Sequence, residues 1–146
     1  MQGGQMQFKI DQPGLMKSGL IPVIVGAVGG LLWITIGLWA IAGLLGWVAP
    51  IFGGVWYVMT APKSGAMPAQ MDALVNGAVL GAVVALVYGI LALIFSGIAV
   101  SSASLGLFAF SAFGIGDLIV RIIGGAIGGA VGAFVYMYLV QQGTIK

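Results

Sequence analysis

Of the 146 residues, 61% are hydrophobic and 5% are charged, with five Lys+Arg against three Asp and no Glu, His or Cys. A water-facing surface needs about 25% charged residues, so a soluble domain is excluded, and a mean hydropathy of +1.19 points to an integral membrane protein. The missing residue types exclude thiolate nucleophiles, imidazole bases, disulfides and zinc, iron–sulfur or His-ligated haem sites, so no enzyme, metal or cofactor is expected. A sequence pI near 9.2 does not indicate nucleic acid, because Lys9, Lys17, Lys63, Arg121 and Lys146 are scattered and a nucleic-acid footprint clusters its cations.

The first 18 residues, with Pro13-Gly14, read as a polar lead-in. Residues 18–62 then carry no charge. As one helix they would reach roughly 67 Å, about twice the ~30 Å hydrocarbon core, so the chain must fold back. Gly43 to Gly46 is the expected turn, giving spans near 20–42 and 45–61. Ala40-Ile41-Ala42 has the small-x-small pattern of a signal cleavage site, but the apolar stretch before it exceeds the ~7–15 residues of a signal core. It is read as the first span. Pro50 inside the second span should bend it and deprive the Gly46 carbonyl of its donor.

Residues 73–116 are also uncharged and hold a third span near 73–100, with Asp72 as its N-cap. Ser101, Ser102 and Ser104 break the apolar pattern. The remaining Leu105–Gly116 is about 18 Å of helix, too short to cross, and reads as an interfacial or re-entrant segment anchored by Phe108, Phe110 and Phe113. A fourth span covers 118–140, with five spans as the alternative. The fold expected is an all-α bundle of four transmembrane helices. The positive-inside rule places Lys9, Lys17, Lys63 and Lys146, and hence both termini, in the cytoplasm, the natural setting being a prokaryotic cytoplasmic membrane. Trp39 and Trp47 should flank the first turn at the outer boundary, with Trp56, Tyr57, Tyr136 and Tyr138 at the inner one.

Two short resemblances suggest an internal repeat. Gly26-Ala27-Val28-Gly29-Gly30 matches Gly77-Ala78-Val79-Leu80-Gly81, and Gly54-Val55-Trp56-Tyr57-Val58-Met59 matches Gly132-Ala133-Phe134-Val135-Tyr136-Met137. Two tandem hairpins, the second with an insertion, would produce both. Chance recurrence of Gly, Ala and Val is the competing explanation.

Several of the 26 glycines recur at four-residue spacing: Gly26 and Gly30; Gly77, Gly81 and Gly89, with Ala85 in the row; Gly124, Gly128 and Gly132. In lipid, helices associate through the close approach that small residues permit. These rows are a glycine zipper on an oligomeric or pore-lining face, or ordinary packing inside one bundle. Gly125, Gly129 and Ala133 lie beside the last row, so the fourth span could touch neighbours on two faces.

Three polar residues are candidates for chemistry. Asp117 and Arg121, four apart, share a helix face. Charge at membrane depth is a functional candidate, although an N-terminal carboxylate and a snorkelling Arg have structural uses too. Asn76 would hydrogen-bond between helices or meet a substrate. No family resemblance follows. The membrane Glu of small multidrug exporters is absent, and Gly29-Gly30 leads into Leu31-Leu32-Trp33 rather than the Arg found after the Gly-rich motif of dimeric fluoride channels. The function expected is a structural or accessory subunit packed against other membrane helices. The alternative is a homo-oligomeric channel or small transporter built on the glycine faces.

Overall fold

The computed structural model describes residues 9–60, 68–101 and 114–145. Among these residues are four long helices, each long and apolar enough to cross a membrane. They are α1 (Gln12–Leu31), α2 (Trp39–Thr60), α3 (Gln70–Ser101) and α4 (Ile115–Gln141). The Lys63 loop and residues 105–113 of the expected interfacial segment Leu105–Gly116, with its three Phe, lie outside the described residues, while Ile115 and Gly116 of that segment already belong to α4. We call the end holding the starts of α1 and α3 proximal and the opposite end distal.

The chain turns earlier than the glycines suggest. Two short 3-10 turns, Leu32–Ile34 and Ile36–Leu38, join α1 to α2, and Gly43 to Gly46 run inside α2. Ile34, Thr35 and Ile36 are consecutive β-branched residues followed by Gly37, a run of poor helix formers. Thr35 is extended, at φ −109° and ψ 109°. Gly46 has a different task, since a Cβ there would overlap the Tyr88 ring. The glycine serves packing.

The proximal boundaries differ as well. Asp11 caps α1 by accepting the Gly14 N–H at 3.1 Å, and Pro13 sits where a missing donor costs nothing. Residues 12–18 of the polar lead-in are therefore helical, with Lys17 exposed on them. Asp72 lies within the first turn of α3 rather than at its N-cap. Trp47 is also displaced from its expected place. The turn is held by Trp33 and Trp39, whose rings lie 5.5 Å apart and whose Trp39 indole donates to the Trp33 carbonyl at 2.9 Å. Trp47 lies about 12 Å further along α2.

α2 and α3 pack together at the centre, and α1 and α4 lie against that pair from opposite sides. The core runs through Ala49, Tyr57, Val58, Ala73, Leu80, Val84, Ala133 and Met137. Glycine decides how closely the helices approach. Gly77, Gly81 and Gly125, Gly129 interleave, so that a Cβ at Gly77 would stand 2.8 Å from the Gly129 carbonyl oxygen and one at Gly125 2.7 Å from that of Gly81. Ala85 continues this α3–α4 seam against Gly125, and Gly89 meets Leu118. Gly26 abuts the Val84 backbone and Gly30 that of Tyr88.

The Gly124, Gly128 and Gly132 row faces α2. It tightens along the helix: a Cβ at Gly124 would stand 3.8 Å from Trp47, one at Gly128 3.2 Å from Ile51, and one at Gly132 against the Ile51 backbone. The closer face of α4 is the neighbouring one, through Gly125 and Gly129. Every one of these contacts lies within the single chain.

Candidate functional site

Among the described residues, polar side chains gather at two places, one at the start of α3 and one beside its middle. At the proximal end Asn76 is completely buried. Its Oδ1 accepts the Asp11 N–H at 2.9 Å, and its Nδ2 donates to the carbonyls of Lys9 at 3.0 Å and Asp72 at 2.7 Å. Asp72 accepts the Lys9 N–H at 3.2 Å, and Tyr57 donates to the Asp11 carboxylate at 3.3 Å. Asn76 thus ties the chain ahead of α1 to α3. A carboxamide suits this task, since it both donates and accepts.

The distal cluster is built on Tyr88, 1% exposed at mid-helix in α3. Its hydroxyl donates to the Ala42 carbonyl at 2.8 Å and accepts the Trp33 indole N–H at 2.8 Å. One phenol therefore fastens α3 to α2 and to the turn. Arg121 lies over the same ring, 5.5 Å from its centroid. Its Nε donates to Asp117 Oδ2 at 2.5 Å within the first two turns of α4, where a carboxylate also suits the helix dipole.

A cavity of about 120 Å³ opens beside this pair. Asp117, Val120, Arg121, Gly124 and Gly125 of α4 form one wall. Ala85 and Tyr88 of α3 and Gly46, Trp47 and Pro50 of α2 complete it. Gly124 leaves room on the α4 wall, because a Cβ there would meet only Trp47, at 3.8 Å. Pro50 has no N–H, so the Gly46 carbonyl on the cavity wall cannot receive the usual helical bond from it. Trp47 and Val120 on the rim are 71% and 65% exposed, so the cavity opens sideways out of the bundle.

The structure brings Asp117 and Arg121 together and leaves Asn76 near the start of α3, about 18 Å from Tyr88 along the helix. Asp11, Tyr57, Trp33 and Tyr88 were not among the sequence candidates. Asp11 carried a readable signal, an acidic residue two places before a proline at a helix start. Tyr88 carried another, since a tyrosine far from either end of an apolar span needs a partner for its hydroxyl. No family model, curated protein or solved structure matches this chain.

Proposed function

We propose that the chain is an integral, multi-pass membrane protein that acts without catalysis, as a structural or accessory subunit packed against other membrane helices. The observation that carries this is the outer face of α4. Ile119, Ile123, Ile127 and Val131 follow one another at four-residue spacing, all exposed. Only 22% of the most apolar stretch of α4 is buried, against 33–39% in the other three helices. The polar side chains of the proximal cluster are meanwhile bonded within the chain. In this reading the proximal end, with Lys9 and Lys17, faces a prokaryotic cytoplasm.

A homo-oligomeric channel or small transporter is the second reading, favoured by the charged cavity between α2 and α4. Its assembly would use the outer apolar faces, because the glycine rows are occupied inside one chain. The tandem-hairpin origin also has support. Gly54 of α2 packs against Gly129 of α4, and Gly132 packs against Ile51. Both Gly54 to Gly132 and Ile51 to Gly129 are steps of 78 residues, so the α2–α4 contact is reciprocal, as a duplicated hairpin would make it.

A photo-crosslinking residue at Ile127, activated in native membranes, tests the function. An adduct with one different polypeptide at fixed stoichiometry is the expected outcome. An adduct of twice the chain mass would favour the channel. Lipid adducts alone would overturn both.

A further inference from the structure

We infer that the distal cavity is a binding site for the zwitterionic headgroup of a phospholipid bearing a primary ammonium, a phosphoethanolamine lipid. The inference rests on the membrane reading above, but not on the accessory-subunit role. Three features of the cavity lead to it: its size, its opening and its charge.

A volume of about 120 Å³ is below the ~300 Å³ at which pockets for whole organic ligands begin. It fits a small polar group whose remainder lies elsewhere. The rim provides that elsewhere. Trp47 and Val120 stand exposed at the mouth, and exposed Val48, Ile51, Ile123 and Ile127 continue away from it along α2 and α4. A headgroup in the cavity leaves its acyl chains against this apolar surface.

The charge pattern selects the headgroup. Arg121 and Asp117 together are neutral, yet they present a cation and an anion side by side. Only one edge of each is used in their ion pair. Among the described residues the Arg121 Nη edge, Asp117 Oδ1 and the Trp47 indole N–H have no hydrogen-bond partner. A phosphodiester meets donors at Arg121 and Trp47. An ammonium a few ångströms away meets acceptors at Asp117 and the Gly46 carbonyl. A purely anionic headgroup would place its charge beside Asp117 without compensation. A trimethylated ammonium offers no N–H to donate.

The test reconstitutes the full chain in vesicles of equimolar phosphatidylethanolamine, phosphatidylcholine and phosphatidylglycerol, extracts it in mild detergent and measures retained lipid by native mass spectrometry. Phosphatidylethanolamine should be enriched about tenfold over each of the others, the effect of one charge-assisted hydrogen bond. Asp117→Asn should abolish the discrimination against phosphatidylglycerol, and Arg121→Gln should lose retention of all three. Val120→Trp, which fills the mouth from an exposed position, should lower retention while the helical circular dichroism stays unchanged, which covers the case in which the charge variants misfold. Equal retention of the three lipids, a preference for phosphatidylglycerol, or undiminished retention in Val120→Trp would overturn the site. Displacement by equimolar soluble glycerophosphoethanolamine would overturn a lipid as the occupant. Release of the chain from vesicles by an alkaline wash would instead overturn the membrane reading itself.

Discussion

The two polar clusters on α3 use the same kinds of contact to opposite ends. At the proximal end Asn76 is sealed, and its hydrogen bonds run to the backbone around Lys9, Asp11 and Asp72. At the distal end Tyr88 is equally buried, yet the ion pair beside it lines a cavity with side chains still 27–28% exposed. Burying a polar group is tolerable only when its bonds are completed. The proximal cluster completes them within the chain. The distal ion pair stays partly exposed on the wall of a cavity. A closed network stabilises a fold, whereas an open one is available for binding.

The seam between the clusters gives the largest expected effect. At Gly129 a side chain would strike the Gly77 and Gly81 backbones, which cannot move without separating α3 from α4. Gly129→Leu should therefore prevent assembly of the bundle, read as loss of a cooperative unfolding transition in detergent. Gly128→Leu meets mainly the Ile51 side chain and should be milder, with Ile127→Leu on the outer face near neutral. Equal stability of all three would remove glycine packing from the account.

Asn76→Ala comes next. It leaves the Asp11 N–H and two backbone carbonyls without their side-chain partner in a buried place, at about 2–3 kcal/mol. Hydrogen exchange should also rise selectively around residues 9–14, which hold to α3 through this side chain. A uniform rise along the chain would mean that Asn76 is not a local clamp.

Tyr88→Phe keeps the ring beneath Arg121 but leaves the Trp33 indole without its acceptor and removes the bond to the Ala42 carbonyl. A loss of about 1 kcal/mol is expected, near the measured average of ~0.6 kcal/mol for such bonds between membrane helices. The effect should appear in Trp33 fluorescence, because the indole loses its acceptor. An unchanged spectrum would contradict the bond.

The smallest effect is expected at the open cluster. Asp117→Asn should lower stability by less than about 1 kcal/mol, since an i,i+4 pair of partly exposed groups contributes little. Chemical unfolding of the variant beside Asn76→Ala compares the two ends directly. A larger loss at Asp117 than at Asn76 would reverse the assignment of sealed and open clusters.

Composition and charge spacing determined a good deal unaided. Long apolar runs interrupted by Asp72, Asp117 and Arg121 determine four long apolar helices, because the backbone of such runs can satisfy its bonds only internally. The third and fourth helices were legible to within a few residues, since charges and serines bracket them. The first turn was not. Glycine at 43–46 and the β-branched run at 34–36 are both local signals for breaking a helix, and neighbouring sequence cannot rank them. Tyr88 decides, by lying over Gly46 and bonding to Ala42, and that contact spans more than forty residues. The glycine rows were visible as spacing, but their partners were not, because a small residue permits close approach to any helix alike. Only the tertiary structure turned Gly125 and Gly129 toward α3 and Gly128 and Gly132 toward α2. It likewise separated Asn76 from Asp117 and Arg121, three polar residues that look alike in the sequence. Burial and completed hydrogen bonds are properties of neighbours in space, and they alone distinguish the sealed residue from the open pair.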